Sequence, residues 1–334
     1  TAEAVGYDLT VALDDAPAPL SGIERYAGAD RYGTSVEISR RTFPEGGCDA
    51  VVIASGKGFA DALSGSGLAG AVGGPLLLTD PAALSIGAWE EISRLGATKA
   101  FIVGGTGAVS DDVYVDLDLG GIEVTRVAGA TRYDTAVAVA DRMNAPDLLD
   151  GAVTEAVVVY GGNFPDALAA SPVAYAQGMP VLLTPKDALG ASARAFLAAN
   201  CSQAYVIGGA GAVSEAAYSQ VASATGSAER IAGADRYLTA RMVGECFSGT
   251  GNGFGFVGIA KGTDFPDALS GGAATGYERG VLLLTPAAPL GDAALGAIRD
   301  DMVWGDDAAV FGGESAVSVA AFATAAEEIG LKEP

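Results

Sequence analysis

Histidine is absent from this 334-residue chain, so it lacks the side chain that proteins use most often as a general base and as a zinc ligand. Cysteine is scarce, and Cys48, Cys201 and Cys246 show no CxxC spacing and lie at unrelated places in the sequence. This pattern predicts buried thiols rather than a repeated disulfide or a metal site. We therefore expect no metal site, no cofactor and none of the familiar histidine-dependent hydrolase mechanisms.

Basic residues and long apolar runs are also few. The chain has 19 Lys and Arg against 41 Asp and Glu, a net charge of −22, which disfavours nucleic acid and anionic lipid as partners. The strongest apolar runs, at 75–78 and 281–284, are far shorter than the roughly 20 residues that a membrane span needs. With 50% hydrophobic residues and 48 glycines, the composition is typical of a globular chain that does not insert into membranes.

Four sequence blocks recur three times in the same order. The first block is identical at six of its eight positions in all copies. The blocks occupy 25–32, 126–133 and 230–237; then 59–63, 164–168 and 265–269; then 77–79, 182–184 and 283–285; and finally 104–110, 208–214 and 312–318. This repetition predicts three modules, at 22–121, 122–225 and 226–334. Residues 1–21 fall outside it and are expected to be a linker or the end of a preceding domain.

Within each copy, short buried strands alternate with helices. In the first copy, 51–54, 75–79 and 100–103 read as strands and 85–95 has helical spacing. Apolar strands separated by helices predict an α/β fold, with three small doubly wound modules built on parallel sheets. Closely joined modules favour a ring about a pseudo-threefold axis, and a linear stack is the alternative. The glycine-rich helix near Gly67 is expected to pack closely against the sheet or a neighbouring module.

The recurring polar residues allow both functional and structural interpretations. Six of the 14 arginines lie in the first block, where the second arginine of each copy could bind an anion or pair with the aspartate of its own module. That aspartate lies near a helix start, where it could cap the helix or lock a loop, and it lacks the acidic partner that glycosidase chemistry needs. The threonine that ends the third block could bind a ligand or shape a turn.

Other recurring residues predict local structure. Thr34, Thr135 and Thr239 precede helical patterns and are expected to cap them. The Gly-x-Gly turns of the fourth block resemble a dinucleotide fingerprint, but the third copy breaks the pattern with Glu314 and Ser315. We expect tight strand-to-helix turns there, with the following serine as a cap. The loops at 55–58 and 261–263 lack the glycine spacing of a phosphate-binding loop.

Together the blocks R-x-A-G-x-x-R-Y-x-T, F-x-D-A-L, L-L-T and G-G-x-x-A-V-S resemble the type-2 cell-wall-binding repeats of Gram-positive surface proteins, including clostridial S-layer and cell-wall proteins. The resemblance covers about residues 22 to 331. It implies a compact pseudo-trimer that binds an anionic secondary wall polymer, such as a polysaccharide or teichoic-acid-like chain, without catalysis. It also implies a secreted parent protein at the cell wall, with an effector domain elsewhere.

Four positions in each copy are candidates for polymer binding: the resemblance implies the arginines and the aspartate, and the threonine is added because it ends a buried strand at the carboxyl edge of the sheet. They are Arg25, Arg31, Asp61 and Thr79; Arg126, Arg132, Asp166 and Thr184; and Arg230, Arg236, Asp267 and Thr285. The second copy departs from the motif with Thr131 in place of aspartate, and the first with Ala60 in place of proline. An adhesin or S-layer module that binds other protein subunits is the alternative, and a sugar- or nucleotide-active enzyme is the weakest one.

Overall fold

The computed structural model describes residues 22–149, 153–248 and 254–331. Strands and helices alternate along them. The strands are β1 (Ile23–Tyr26), β2 (Ala50–Ser55), β3 (Leu76–Thr79), β4 (Lys99–Val103), β5 (Glu123–Val127), β6 (Glu155–Tyr160), β7 (Val181–Thr184), β8 (Gln203–Ile207), β9 (Ala228–Ile231), β10 (Phe256–Lys261), β11 (Val281–Thr285) and β12 (Asp307–Phe311). The helices are α1 (Arg31–Thr42), α2 (Ala62–Val72), α3 (Ile86–Leu95), α4 (Asp111–Leu119), α5 (Arg132–Met143), α6 (Pro165–Gln177), α7 (Ala191–Asn200), α8 (Glu215–Thr225), α9 (Arg236–Ser248), α10 (Pro266–Tyr277), α11 (Asp292–Asp300) and α12 (Val319–Gly330). The possible strand near Tyr7 lies outside the described residues.

The strands form three parallel four-stranded sheets, which confirms the predicted α/β class. Their orders are β3-β2-β4-β5, β7-β6-β8-β9 and β11-β10-β12-β1. Each sheet takes its outer strand from the start of the next repeat, and β1 completes the sheet of the last repeat. The module ranges 22–121, 122–225 and 226–334 remain a division made from sequence, and each sheet crosses one of their boundaries.

Apolar, β-branched sequence explains why the middle strands lie inside. All of β2 is buried, and Val51, Val52 and Ile53 have no exposed surface, as expected for a parallel strand covered by helices on both faces. Amphipathic α3 begins at a Ser85 cap and ends at Gly96 in the left-handed conformation, so local sequence sets both of its ends. In the described ranges, no helix has the length and apolar character to cross a membrane.

Three central helices, α2, α6 and α10, pack against one another around a pseudo-threefold axis. A Cβ atom built on Gly67 would overlap the carbonyl oxygen of Met179, and one built on Gly70 would overlap that of Tyr175. The glycines of α2 therefore allow direct contact with the second repeat, which confirms the close packing predicted from sequence. Contacts of α10 with α1 and α2, together with β1, close a ring rather than a linear stack.

Candidate functional site

The second sequence block places three phenylalanines on the pseudo-threefold axis. Their ring centroids lie 5.5, 5.7 and 5.8 Å apart in tilted or edge-to-face contacts. The rings belong to Phe59, Phe164 and Phe265, directly before the central helices. Because the carboxyl ends of all three sheets face this end of the ring, we call it the carboxyl-end face. The rings recur in the sequence just ahead of the aspartates, but sequence reasoning did not select them as site residues.

The second arginine of each first block lies at this face, half-buried. Its Nη1 donates to the carbonyl oxygen of the glycine that follows the first inner strand of its own repeat. The bonds are Arg31 to Gly56 at 2.6 Å, Arg132 to Gly161 at 2.9 Å and Arg236 to Gly262 at 2.7 Å. Arg31 also lies over the Phe265 ring at 5.8 Å, and Arg132 lies over Phe59 at 5.5 Å. Each of these two guanidinium groups therefore joins its own repeat to a neighbour.

The motif aspartates lie half-buried beneath the Gly-Gly turn of the same repeat. A Cβ atom on the first glycine of that turn would meet the carboxyl group, and the same glycine has φ between 99° and 113°. These glycines are Gly104, Gly208 and Gly312. Both features require glycine there. In none of α2, α6 and α10 does a side chain cap the helix, so the aspartates are not the helix caps that the sequence allowed, and their carboxyl groups lie against the glycine of the turn.

Burial and neighbouring charges set the acidity of two of these aspartates. Burial raises the pKa of Asp166 to about 6, and Arg236 of the next repeat opposes this shift. Burial also raises the pKa of Asp267, as does Asp264, whereas Arg31 and Lys261 lower it. Among the described residues, no ion pair within 4.0 Å joins a motif arginine to a motif aspartate. For Asp166 and Asp267, the arginine that lowers the carboxyl pKa belongs to the next repeat around the ring and not to the aspartate's own module.

The first arginine of each block is held in place by the preceding repeat. Arg126, on β5, donates to the carbonyl oxygens of Gly104 at 3.1 Å and Val109 at 2.8 Å. Arg230 donates to Gly208 at 2.8 Å in the same way. Arg25 on β1 donates to Gly312 at 2.8 Å. These three guanidinium groups fasten the Gly-Gly turns at the ring junctions.

The threonines that end the third block are fully buried. Their hydroxyls bond within the following loop: Thr79 donates to Ala83 O at 3.0 Å and Thr184 to Ala188 O at 3.2 Å, while Thr285 accepts from Gly291 N at 2.9 Å. These bonds shape the turn. Since the side chains have no exposed surface, any contribution that they make to ligand binding would act through the loop.

Three local expectations need correction. Thr34 does not cap α1, because its hydroxyl accepts from Gly28 N at 3.1 Å, and Thr135 and Thr239 make the same bond to Gly129 and Gly233. Ser214 and Ser318 cap their helices, but Ser110 does not. Cys48 and Cys201 are buried as predicted, whereas Cys246 is exposed because it lies on the outer side of α9.

The helices that follow the first block are capped by the residue that differs among the copies. Asp30 accepts from Gly33 N and Thr131 from Asp134 N, and Asp235 accepts from Leu238 N. Thr131 therefore replaces aspartate as an N-cap, a position that accepts either side chain. The departure of the second copy from the motif thus preserves a local structural role.

A cleft of about 410 Å³ opens on the carboxyl-end face of the first repeat, lined by Lys57, Ala60, Asp61, Pro81 and Gly107 among others. It brings the aspartate of the second block beside the turns that follow β2, β3 and β4. Within the part of the chain that the structure describes, no group of three or more Cys, Asp or Glu residues could hold a metal ion. Lys57 and Asp61 are the charged residues that line the cleft.

Comparison with known proteins supports this picture of three tandem copies. A family model described as "Cell wall binding domain 2" matches residues 25–114, 126–218 and 230–321. "N-acetylmuramoyl-L-alanine amidase LytC" of Bacillus subtilis (strain 168) is 32% identical over 267 residues, which cover 79% of this chain and 50% of LytC. "Amidase enhancer" of the same organism is 29% identical over 311 residues, covering 93% of this chain and 41% of that protein.

Two solved structures from Clostridium difficile share the fold. Cwp6 aligns with a TM-score of 0.81 and 23% identity, covering 91% of this chain and 48% of its own. Cwp8 aligns with a TM-score of 0.81 and 25% identity, covering 93% of this chain and 52% of its own. The chain spans about half the length, or somewhat less, of these curated relatives and structures.

Proposed function

Because the chain belongs to the cell wall binding domain 2 family, we propose that it holds a secreted protein at the bacterial wall by binding an anionic secondary wall polymer. Membership of this family places the chain at the cell surface, as its sequence predicted. The polymer would bind at the carboxyl-end face, where the arginines and aspartates of the motif blocks gather. The arrangement of this face around the phenylalanine rings is the observation that carries the proposal.

Sites that repeat three times suit a ligand that itself repeats. Two of the three junctions combine the aspartate of one repeat with the second arginine of the next, as the electrostatic coupling of Asp166 to Arg236 and of Asp267 to Arg31 indicates. Several weak sites on one polymer strengthen binding through effective concentration, without any single strong contact. An intact ring is then a requirement for binding, because no repeat supplies a whole junction.

Charge limits how the polymer is held. A protein of net charge −22 repels an anionic polymer at long range, so attraction must come from guanidinium groups, backbone N–H groups or bridging cations close to the ligand. Such contacts weaken as salt screens them. We therefore expect binding that falls as salt concentration rises.

The role that we propose is non-enzymatic. Each repeat supplies one motif carboxyl group, without the paired acid of a glycosidase and without histidine. The amidase LytC and the amidase enhancer each match this chain over no more than half of their length. We infer that a parent protein of this chain carries its effector domain outside the three repeats.

Co-sedimentation with purified walls of the producing bacterium tests the anchor directly. Walls are compared before and after acid extraction of their secondary polymers, at low and high salt. We expect binding to intact walls at low salt and its loss after extraction. Binding that survives extraction would contradict the proposal, and self-association of the protein without walls would favour a protein-assembly role instead.

A further inference from the structure

Lysine is rare in this chain, and its placement is uneven. There are five lysines, and three of them follow or end strands at the carboxyl-end face, one in each repeat: Lys57, Lys186 and Lys261. Lys99 begins β4 at the opposite end of a sheet, and Lys332 lies outside the described residues. The motif blocks do not include any of the three lysines, because each occupies a different position of its repeat.

Backbone hydrogen bonds establish which positions are equivalent. Gly56 N donates to Thr79 O at 2.9 Å, and Gly161 and Gly262 make the same bond to Thr184 and Thr285. Lys57 comes directly after this glycine, and Lys261 comes directly before it. The position of Lys261 is therefore that of Ser55 in the first repeat, while Lys57 corresponds to Gly162 and Thr263.

A second backbone bond places the remaining lysine. Ser110 N donates to Pro81 O at 2.7 Å, and Ser214 N donates to Lys186 O at 2.9 Å. Lys186 therefore occupies the position of Pro81. In the first repeat, Ser55, Lys57 and Pro81 all line the cleft beside Asp61. Each repeat thus has one lysine at a position that lines this cleft, supplied from a different loop each time.

The surroundings of the lysines fit a role at the rim of a cleft. Lys57 forms an ion pair with Asp80 at 2.7 Å, yet 62% of its side chain is exposed. Lys261 is close enough to Asp267 to influence that carboxyl group electrostatically. Lys186 is exposed. Lys57 and Lys186 are thus exposed, and Lys261 is half-buried.

We propose that each repeat has an acidic-sugar subsite in which its lysine binds a carboxylate or phosphate group and its motif aspartate accepts hydrogen bonds from sugar hydroxyls. This inference rests on the proposed function, and it extends the chemistry of the cleft in the first repeat to the equivalent positions of the other two. An ammonium group is a compact charge with three donors on a flexible stem, so it reaches the ligand anion from any of three loops. Because the loops differ, the three subsites hold equivalent sugars in different orientations.

Glutamine substitution tests the subsites. The triple variant Lys57→Gln, Lys186→Gln and Lys261→Gln is compared with the wild type and with Lys99→Gln, the matched control at the opposite end of the sheet. We expect the triple variant to lose at least about tenfold in affinity for purified walls of the producing bacterium and to depend less steeply on salt. Lys99→Gln should bind as the wild type does, and a triple arginine variant should recover most of the binding.

The outcomes separate this inference from the anchor proposal. If wild-type protein does not bind walls, the proposed function fails; if it binds and the triple variant binds equally well, only the lysine subsites fail. Lys186→Gln alone, with an expected loss of about threefold, keeps the test valid if the triple variant does not fold. Carbodiimide amidation of the wall carboxylates identifies the anion that the lysines bind. If amidation abolishes the lysine-dependent part of binding, the anion is a carboxylate; if that part of binding remains, the anion is a phosphate.

Discussion

The two arginines of each first block are six positions apart in the sequence and differ in what they contact. Arg126 donates hydrogen bonds to the carbonyl oxygens of a turn. Arg132 donates to one carbonyl oxygen, and its guanidinium group lies over the Phe59 ring. Sequence could select both, because both recur, but could not separate their roles. The partner of Arg126 is a main-chain carbonyl group in the preceding repeat. Because every residue has a carbonyl group, the sequence does not show which one accepts the bond.

Asp166 provides a prediction of pH dependence. Because burial raises its pKa from 3.8 to about 6, the folded protein binds this proton more tightly than the unfolded chain does. The carboxyl group therefore contributes stability that is fully present below pH 3.8 and is lost as the pH rises through 6. At pH 7, the free energy of unfolding of Asp166→Asn should exceed that of the wild type by about 1 to 3 kcal/mol. At pH 4 the difference between the two proteins should be smaller.

Urea unfolding at several pH values between 4 and 7 measures this effect. Asp80→Asn is the control, because the Lys57 ion pair lowers the pKa of the Asp80 carboxyl group; that substitution should not stabilise the protein. An Asp166→Asn variant no more stable than the wild type at pH 7 would show that Arg236 compensates the burial of the carboxylate.

At the scale of helices and strands, sequence predicted well where local chemistry decides. The apolar run of β2 and the Ser85 and Gly96 ends of α3 are readable from neighbouring residues alone. The caps were harder: Thr34 has the right chemistry to cap α1, yet Asp30 occupies the N-cap. Both side chains compete for nearby N–H groups, and only the exact start of the helix decides which one reaches them.

The central helix α2 gives a prediction about packing. Leucine at Gly67 would overlap the carbonyl oxygen of Met179 in the next repeat, and backbone cannot move aside as a flexible side chain can. We expect Gly67→Leu to lower the free energy of unfolding by about 3 kcal/mol or more. Gly330→Leu in α12 is the matched control, since a side chain there meets nothing within 4 Å. Thermal unfolding measures the melting temperature of both variants, and equal melting temperatures would contradict the close packing at Gly67.

For the whole molecule, the number of repeats and the ring were predictable from the recurring blocks, but the exchange of strands between repeats was not. The first-block strand carries Arg25, Arg126 or Arg230 and reads as the start of its own module. Its pairing partner is decided by which sheet edge lies nearest in space, and this depends on how the modules pack. Ile23 therefore pairs with Ala308 at the other end of the chain.

Removal of β1 tests this closure. A chain that starts at residue 30 retains the Asp30 cap but leaves the edge of β12 without its partner, whereas a chain that starts at residue 22 retains both. We expect the shorter chain to melt roughly 5 to 10 °C lower and to lose hydrogen-exchange protection in β12. Equal protection of β12 in the two chains would contradict a structural role for β1.

The pairing of β1 with β12 also orders events in time. During synthesis the chain emerges from its amino terminus, so β1 exists long before residues 307–311 are made. The first two sheets can complete as soon as β5 and β9 appear, but the third must wait while its earliest strand stays unpaired. Closing a loop of nearly the whole chain is the step with the greatest entropic cost. The strand of the ring that is made first, β1, is therefore the last to be paired.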